Sequence, residues 1–171
     1  MAHIVFGILL AVHIGAVIAW MGSSFLFAWV IGPSLESMNP DTRTGFLLNM
    51  LPRFSKFISI SSSAAIGAGI VLAGWTFGAE TSLVPSGIAF FLFLIGAVLA
   101  FVALLIAMAL VVSPANRLLE MLEKTKNTAL PASSDETSKI LELQRIMRSG
   151  AKALAAMLPV VMLLMVLGLY A

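Results

Sequence analysis

One histidine lies deep inside an apolar stretch of the sequence, and it is the first candidate for chemistry. His13 belongs to the run HIVFGILLAVHIGAVIAWMGSSFLFAWVIGP, which covers residues 3 to 33. An ionisable side chain inside a membrane span is costly and therefore indicates a functional site. Imidazole is also the commonest metal ligand in proteins. Three roles stay open for His13: a ligand to a metal or to haem iron, a proton relay, or a side chain that only hydrogen-bonds a neighbouring helix.

The helix that carries His13 has two faces of different composition. At 3.6 residues per turn, Trp20 and Ser24 share the face of His13, whereas Gly15 and Gly22 lie roughly opposite. Small residues let helices approach closely in lipid, so the glycine face is predicted to be a packing seam. The face of His13 is then expected to line an internal cavity, unless its aromatic residues pack as core.

Methionines and a second histidine are the other possible metal ligands. Met162 and Met165 lie one turn apart in the last apolar stretch, and His3 lies near the N-terminus. Thioether sulfur suits Cu(I), although methionine is also a common flexible filler of apolar cores. The four apolar spans, residues 4–31, 56–77, 88–112 and 152–170, contain no histidine other than His13 and no carboxylate. A haem with two histidine ligands from one chain is therefore not available.

The composition indicates where these residues must be positioned. The chain has 171 residues, of which 60% are hydrophobic and 11% charged, whereas soluble domains are about 45–50% apolar and about 25% charged. We therefore expect a membrane protein whose main partner is the lipid bilayer. The absence of cysteine excludes disulfides, thiolate zinc sites and iron–sulfur clusters. A net charge of +2 gives no support for nucleic-acid binding.

Four apolar stretches are long enough to cross a bilayer, which takes about 20 residues. They cover residues 4–31, 56–77, 88–112 and 152–170. Residues 113–151, between the last two spans, carry apolar residues at helical spacing with charges opposite them, which predicts a helical hairpin. The predicted fold is all-α: one polytopic membrane domain over residues 1–171, built as a four-transmembrane-helix bundle with this hairpin as a cytoplasmic extension.

The connections between the spans carry further expectations. Gly32-Pro33 is expected to end the first helix, and a loop of about twenty residues to follow, with a short interfacial turn or helix near Phe46–Leu51. The third span is expected to end at Ser113-Pro114. A tight polar turn is predicted over residues 78–87.

The basic residues predict the orientation in the membrane. All ten lie in or beside the first and third connections. The positive-inside rule therefore predicts a multi-pass cell-membrane protein with cytoplasmic basic loops and with both chain ends outside. The N-terminal run lacks a basic leader and is far longer than the apolar core of a signal peptide, so it is interpreted as a retained span. Arg53, on the cytoplasmic side, is either an orientation signal or a cation that faces an anionic cofactor group.

Two blocks of the sequence resemble a known family. The block His13-IGAVIA-Trp20-M-Gly22, followed by FLFAWVIGPSL, is similar to the start of the CopD copper-resistance group of small membrane proteins. The stretch PRFSKFISISSSAAIGAGIVLAGW, opened by Arg53-Phe54, resembles the second span of that group, so the resemblance covers residues 10 to 75. HemJ-type protoporphyrinogen oxidases have a related first span whose histidine binds haem b. The resemblance implies that His13 is the ligand and that Trp20, Gly22 and Arg53 accompany it.

Three functional hypotheses follow from these patterns. The first is a CopD-like protein that binds or transports copper through His13, with His3, Met162 and Met165 as further ligands. The second is a b-type haem protein with redox or protoporphyrinogen-oxidase-like activity, in which His13 is the axial ligand and Trp20, Ser24 and Arg53 surround the cofactor. The third is an accessory structural subunit of a larger membrane complex, or a homo-oligomer. Whether the chain is an enzyme stays open.

Overall fold

Long helices account for nearly all of the computed structural model, which describes residues 2–79, 87–128 and 134–170. Helix α1 (Ala2–Leu26) continues through a π-helical turn (Phe27–Ile31) into α2 (Gly32–Ser37), and α3 covers Pro40–Ala79. Helix α4 (Ile88–Ile106) continues through a second π-helical turn (Ala107–Val112) into α5 (Ser113–Thr128), and α6 covers Ser134–Tyr170. The described residues contain no strand.

The prediction of an all-α bundle with four long apolar helices is confirmed. Among the described residues, four helical segments are long and apolar enough to cross a membrane: His3–Ser37, Pro40–Thr76, Ile88–Lys126 and Asp135–Gly168. These segments have 34 to 39 residues, or about 51–59 Å at ~1.5 Å per residue, which exceeds the ~30 Å hydrocarbon core of a bilayer. Each helix therefore extends beyond its apolar part, which indicates a lipid bilayer around the middle of the bundle.

The two prolines that were expected to end helices do not end them. A π-helical turn precedes each one and carries the chain onward. Gly32 donates its backbone N–H to the carbonyl of Phe27, five residues back, and Ser113 donates to Met108 in the same way. A widened turn of this kind accommodates a following proline, which has no N–H to donate. A Cβ at Gly32 would lie 2.9 Å from the Phe27 oxygen, so this close approach requires glycine.

The loop of about twenty residues expected after the first span is also almost entirely helical. Only Met38 and Asn39 separate α2 from α3. The Asn39 side chain accepts a hydrogen bond from the backbone of Thr42 at 2.9 Å and so caps the start of α3. Leu47, which is 1% exposed, anchors this amphipathic start of α3 in the core. The tight turn predicted over residues 78–87 falls mainly outside the described residues.

Helix α5 and the first half of α6 form the helical extension predicted between the third and fourth spans. Leu118 and Leu122 of α5 pack in one buried cluster with Met147 of α6 and with Leu47 and Leu51 of α3. All ten basic residues of the chain lie in this part of the bundle, from α2 and the first half of α3 to α5 and the first half of α6. We call it the basic end.

Candidate functional site

A single hydrogen bond fixes the orientation of His13. Its Nδ1 lies 2.8 Å from the backbone oxygen of Ala65, on α3. A carbonyl oxygen only accepts, so Nδ1 carries the proton and donates. In a neutral imidazole only one nitrogen is protonated, so Nε2 of His13 is left with a free lone pair. Histidines that bind metals are commonly held in this way, because the second hydrogen bond sets the tautomer and the ring orientation.

Helix α3 also provides the space that the imidazole ring occupies. A Cβ at Gly69, one turn after Ala65, would lie 3.0 Å from Cε1 of His13 and 3.2 Å from Nδ1. Contacts this short would push the ring away from the Ala65 carbonyl. Ala65 and Gly69 are therefore positioning residues that sequence reasoning missed. Their signal is two small residues four positions apart, which indicates a close helix approach but does not identify what approaches.

Trp20 and Ser24 pack as core and do not line a cavity. Each is 1% exposed. The Ser24 hydroxyl donates to the Trp20 carbonyl at 2.9 Å, and the Ser23 hydroxyl donates to the same oxygen at 2.8 Å. Hydroxyls used within their own helix in this way are not available to a ligand. Trp20 packs in one buried cluster with Ile58 of α3 and Leu154 of α6. The part of the α1 face around Trp20 therefore packs against both of these helices.

The glycine face of α1 is not the packing seam that the sequence predicts. Gly15 and Gly22 are exposed. No described neighbour would come within 4 Å of a Cβ built on either residue. The physical reason is that α3 and α6 pack on the side of Trp20, so the opposite side of α1 faces away from the bundle.

The two candidate methionines lie on α6. Met165 packs against α4, where a Cβ at Gly96 would lie 3.0 Å from its Cγ, and Met162 is 46% exposed. Trp20 shares its buried cluster with Leu158 of the antiparallel α6. Both methionines lie nearer the end of α6 than Leu158, as His13 lies nearer the start of α1 than Trp20.

Two other candidates lie far from His13. His3 is exposed and lies in the same helix, ten residues away, or about 15 Å at ~1.5 Å per residue. Metal–nitrogen bonds are about 2.0–2.1 Å long, so the two histidines of one chain do not share an ion. Arg53 is exposed and lies on α3 sixteen residues before Gly69, or about 24 Å along the helix. It does not belong to the surroundings of His13.

The described residues contain no group of three or more His, Cys, Asp or Glu side chains that could hold a metal ion. No protein-family model matches the sequence, and neither a curated protein nor a solved structure matches it.

Proposed function

We propose that the chain is an integral protein of the cell membrane that handles copper through His13, as the resemblance of residues 10 to 75 to CopD-type proteins implies. The observation that carries the proposal is the 2.8 Å hydrogen bond between Nδ1 of His13 and the Ala65 carbonyl. It leaves Nε2 as a ligand atom whose direction is set by the bond at Nδ1.

Cu(I) is the copper ion that these residues suit. It accepts soft sulfur ligands together with imidazole, and its single charge costs less in an apolar interior than a divalent charge would. Met162 and Met165 of α6 are the thioethers that the proposal assigns to it. Each methionine side chain has three rotatable bonds, so its sulfur can move without a movement of the helix. Copper is the cargo in this proposal, and no chemical conversion is assigned to it.

The distribution of charge supports an orientation for this site. All ten basic residues lie at the basic end, which we place in the cytoplasm because cytoplasmic loops are rich in Lys and Arg. The start of α1 and the end of α6 are then outside. His13 lies ten residues into α1, roughly 15 Å from the outer surface, so copper would reach it from outside.

Cu(I) binding by the detergent-solubilised full-length chain tests the proposal. We expect one Cu(I) per chain in competition with a chromophoric chelator, and loss of this binding in His13→Ala. Gly69→Ala removes no ligand but displaces the ring, so we expect a loss of affinity of about 10–100-fold, as is typical when the support of a ligand is changed. His3→Ala is the matched control and should bind as the wild type does. Equal affinity in His13→Ala and the wild type would overturn the proposal.

The same samples test the haem hypothesis. An absorbance spectrum with a Soret band in the wild type that is lost in His13→Ala would assign Nε2 of His13 to haem iron instead of copper. Trp20 and Ser24 are packed against neighbouring helices, so such a haem would have to lie outside this part of the core.

One observation favours the accessory-subunit hypothesis as a second candidate function. Only 6% of the apolar window of the first helix is buried, against 33% for the windows in α3 and α6. We propose as the alternative that the exposed face of α1, marked by Gly7, Gly15 and Gly22, receives a helix of another membrane subunit or of a second copy. The chain has no cysteine, so Gly15→Cys gives a clean oxidation experiment. A disulfide-linked dimer supports the second copy, co-purification of another subunit supports the complex, and a monomer alone contradicts both.

A further inference from the structure

The basic end contains a half-open cavity of ≈ 530 Å³ where α2, α3 and α6 meet. We call it the basic cavity. Its charged and amide-bearing lining consists of Glu36, Arg43, Gln144, Arg145, Arg148 and Lys152, and Ser149 also lines it. Apolar residues of the buried cluster, among them Leu47 and Met147, also line it. The cavity thus combines a polar wall with an apolar one, next to the point where α6 enters its apolar stretch.

The charge of the basic cavity is strongly positive. Four cationic side chains and one carboxylate line it, for a net charge of +3. The carboxylate, Glu36, accepts a hydrogen bond from Nη1 of Arg148 and so offsets one cation. A concave surface of one charge sign concentrates the electrostatic field and attracts ions of the opposite sign. The lining therefore favours an anion.

Three buried N–H groups in the cavity lining have no partner among the described residues. They are Nε of Arg43, Nε of Arg148 and the side-chain amide nitrogen of Gln144. Buried donors without an acceptor are unfavourable and are rare in folded proteins.

Contacts at the other ends of the two guanidinium groups hold them in place. Nη2 of Arg43 donates to the Met38 carbonyl at 3.1 Å, at the end of α2, while Arg148 pairs with Glu36. Gly32 lets the stem of Arg148 lie close to the chain, because a Cβ there would be 3.4 Å from its Cγ and Cδ. Both guanidinium groups are therefore oriented before any ligand arrives.

We propose that the basic cavity binds a phosphate group. Ionised phosphate oxygens accept hydrogen bonds and donate none. Guanidinium groups bind them with strong, charge-assisted hydrogen bonds. Basic pockets beside membrane helices bind the head groups of anionic phospholipids, and the apolar wall fits such an amphiphile. A free phosphate offers the same oxygens, so the experiment must separate the two sources. The proposal is independent of copper binding at His13.

Lipid and phosphate binding by the full-length chain tests this inference. The protein, solubilised with phosphatidylcholine, is titrated with phosphatidylglycerol, and bound lipids are counted by native mass spectrometry. We expect one tightly held phosphatidylglycerol per chain, and Arg148→Gln should weaken it by about tenfold or more, since a charge-assisted hydrogen bond is lost. Arg117→Gln is the matched control, because Arg117 is an exposed cation of the basic end that does not line the cavity. It should bind as the wild type does.

Two further variants separate binding from folding. Gln144→Leu removes one unpartnered donor without a change of charge, and we expect a loss of affinity of a few-fold. Glu36→Gln breaks the pair with Arg148 but makes the cavity more positive, so we expect tighter binding. A purely structural pair would instead give lower thermal stability with unchanged binding.

The second part of the binding experiment replaces phosphatidylglycerol with inorganic phosphate. If it binds and displaces the lipid, the phosphate proposal holds and a free phosphate is a sufficient ligand. If only phosphatidylglycerol binds, the source is the lipid. Absence of both forms of binding would overturn the proposal. So would an equal loss of affinity in Arg148→Gln and Arg117→Gln, because the attraction would then depend only on overall charge.

Discussion

Glycine occurs in opposite surroundings in two regions: where α6 contacts α4 and the π-helical turn that follows α4, and on the outer face of α1. A Cβ at Gly150 would lie 2.7 Å from Cβ of Leu110, and one at Gly168 would lie 2.8 Å from the backbone nitrogen of Phe93. At Gly15, by contrast, nothing described lies within 4 Å. A glycine in an apolar helix therefore permits close approach. It does not identify which face of the helix has a neighbour.

The same contrast between a packed side and an open side appears in the tryptophans of the first helical segment. Trp20 is 1% exposed and faces α3 and α6, whereas Trp29 is 54% exposed. The two tryptophans have the same volume and hydropathy, but Trp29 lies nine residues after Trp20, in the π-helical turn, and faces the other side of the segment. The bundle is thus held by one side of α1, and the other side is available to lipid or to a partner.

The largest expected effect comes from the buried tryptophan. Trp20→Ala should destabilise the bundle by about 3 kcal/mol, because a large side chain is removed from a packed core. Trp29→Ala, its matched control, should cost about 1 kcal/mol or less, since Trp29 contacts mainly the ring of Phe25 on the open side; the two ring centroids are 4.9 Å apart. Thermal unfolding in detergent, followed by circular dichroism, measures both. Equal losses of stability would contradict the assignment of the two faces.

A smaller effect is expected when a methyl group is added to one glycine of each region, Gly150 of α6 and Gly15 of α1. Gly150→Ala should cost about 1–3 kcal/mol, because the new Cβ overlaps Leu110 and its backbone. Gly15→Ala should leave stability within about 0.5 kcal/mol of the wild type, since the methyl group enters open space. The same unfolding experiment applies. If Gly15→Ala proved as harmful as Gly150→Ala, the outer face of α1 would have to be occupied in the solubilised protein, which would favour the subunit hypothesis.

Hydropathy was sufficient to predict the fold, because four apolar stretches and one charged amphipathic stretch allow few arrangements. It was not sufficient at Pro33 and Pro114, where a proline normally indicates the end of a helix. There the chain uses π-helical turns, which depend on local backbone hydrogen bonds that residue types do not report. At the start of α3 the sequence predicts a short interfacial turn or helix within a loop. The structure has one continuous helix there, and Leu47 and Leu51 pack in the core instead of at an interface.

Of the residues at the candidate site, the sequence predicts only His13. A histidine within an apolar stretch is visible in the sequence, and the structure places Nδ1 of His13 2.8 Å from the Ala65 carbonyl of α3. The partners Ala65 and Gly69 were not predicted, because which small residues meet His13 depends on the register between α1 and α3. The basic cavity was missed because Arg43 and Arg148 are 105 positions apart in sequence, and only folding brings them to one wall.

The smallest effect is expected at the start of α6, away from both regions of the comparison. The hydrogen bond and the negative charge of Asp135 raise the pKa of Lys139 above its ordinary value of 10.5. A raised pKa in the folded state means that this pair stabilises below that value and that the contribution is lost as the pH rises through the pKa of the folded protein. Both side chains are exposed, by 58% and 73%, so the contribution is small. Lys139→Gln should leave the unfolding temperature unchanged between pH 7 and pH 9; a clear loss there would contradict this assignment.

The central claim is that His13 presents a free Nε2 inside the bundle, and nitrogen NMR of the chain tests it most directly. In protein labelled with ¹⁵N-histidine, with His3→Ala to remove the second signal, we expect His13 to carry its proton on Nδ1 and to show an unprotonated Nε2. Addition of Cu(I) should shift the Nε2 resonance, and Gly69→Ala should weaken that response. A proton found on Nε2, or an Nε2 resonance that Cu(I) leaves unchanged, would contradict the account.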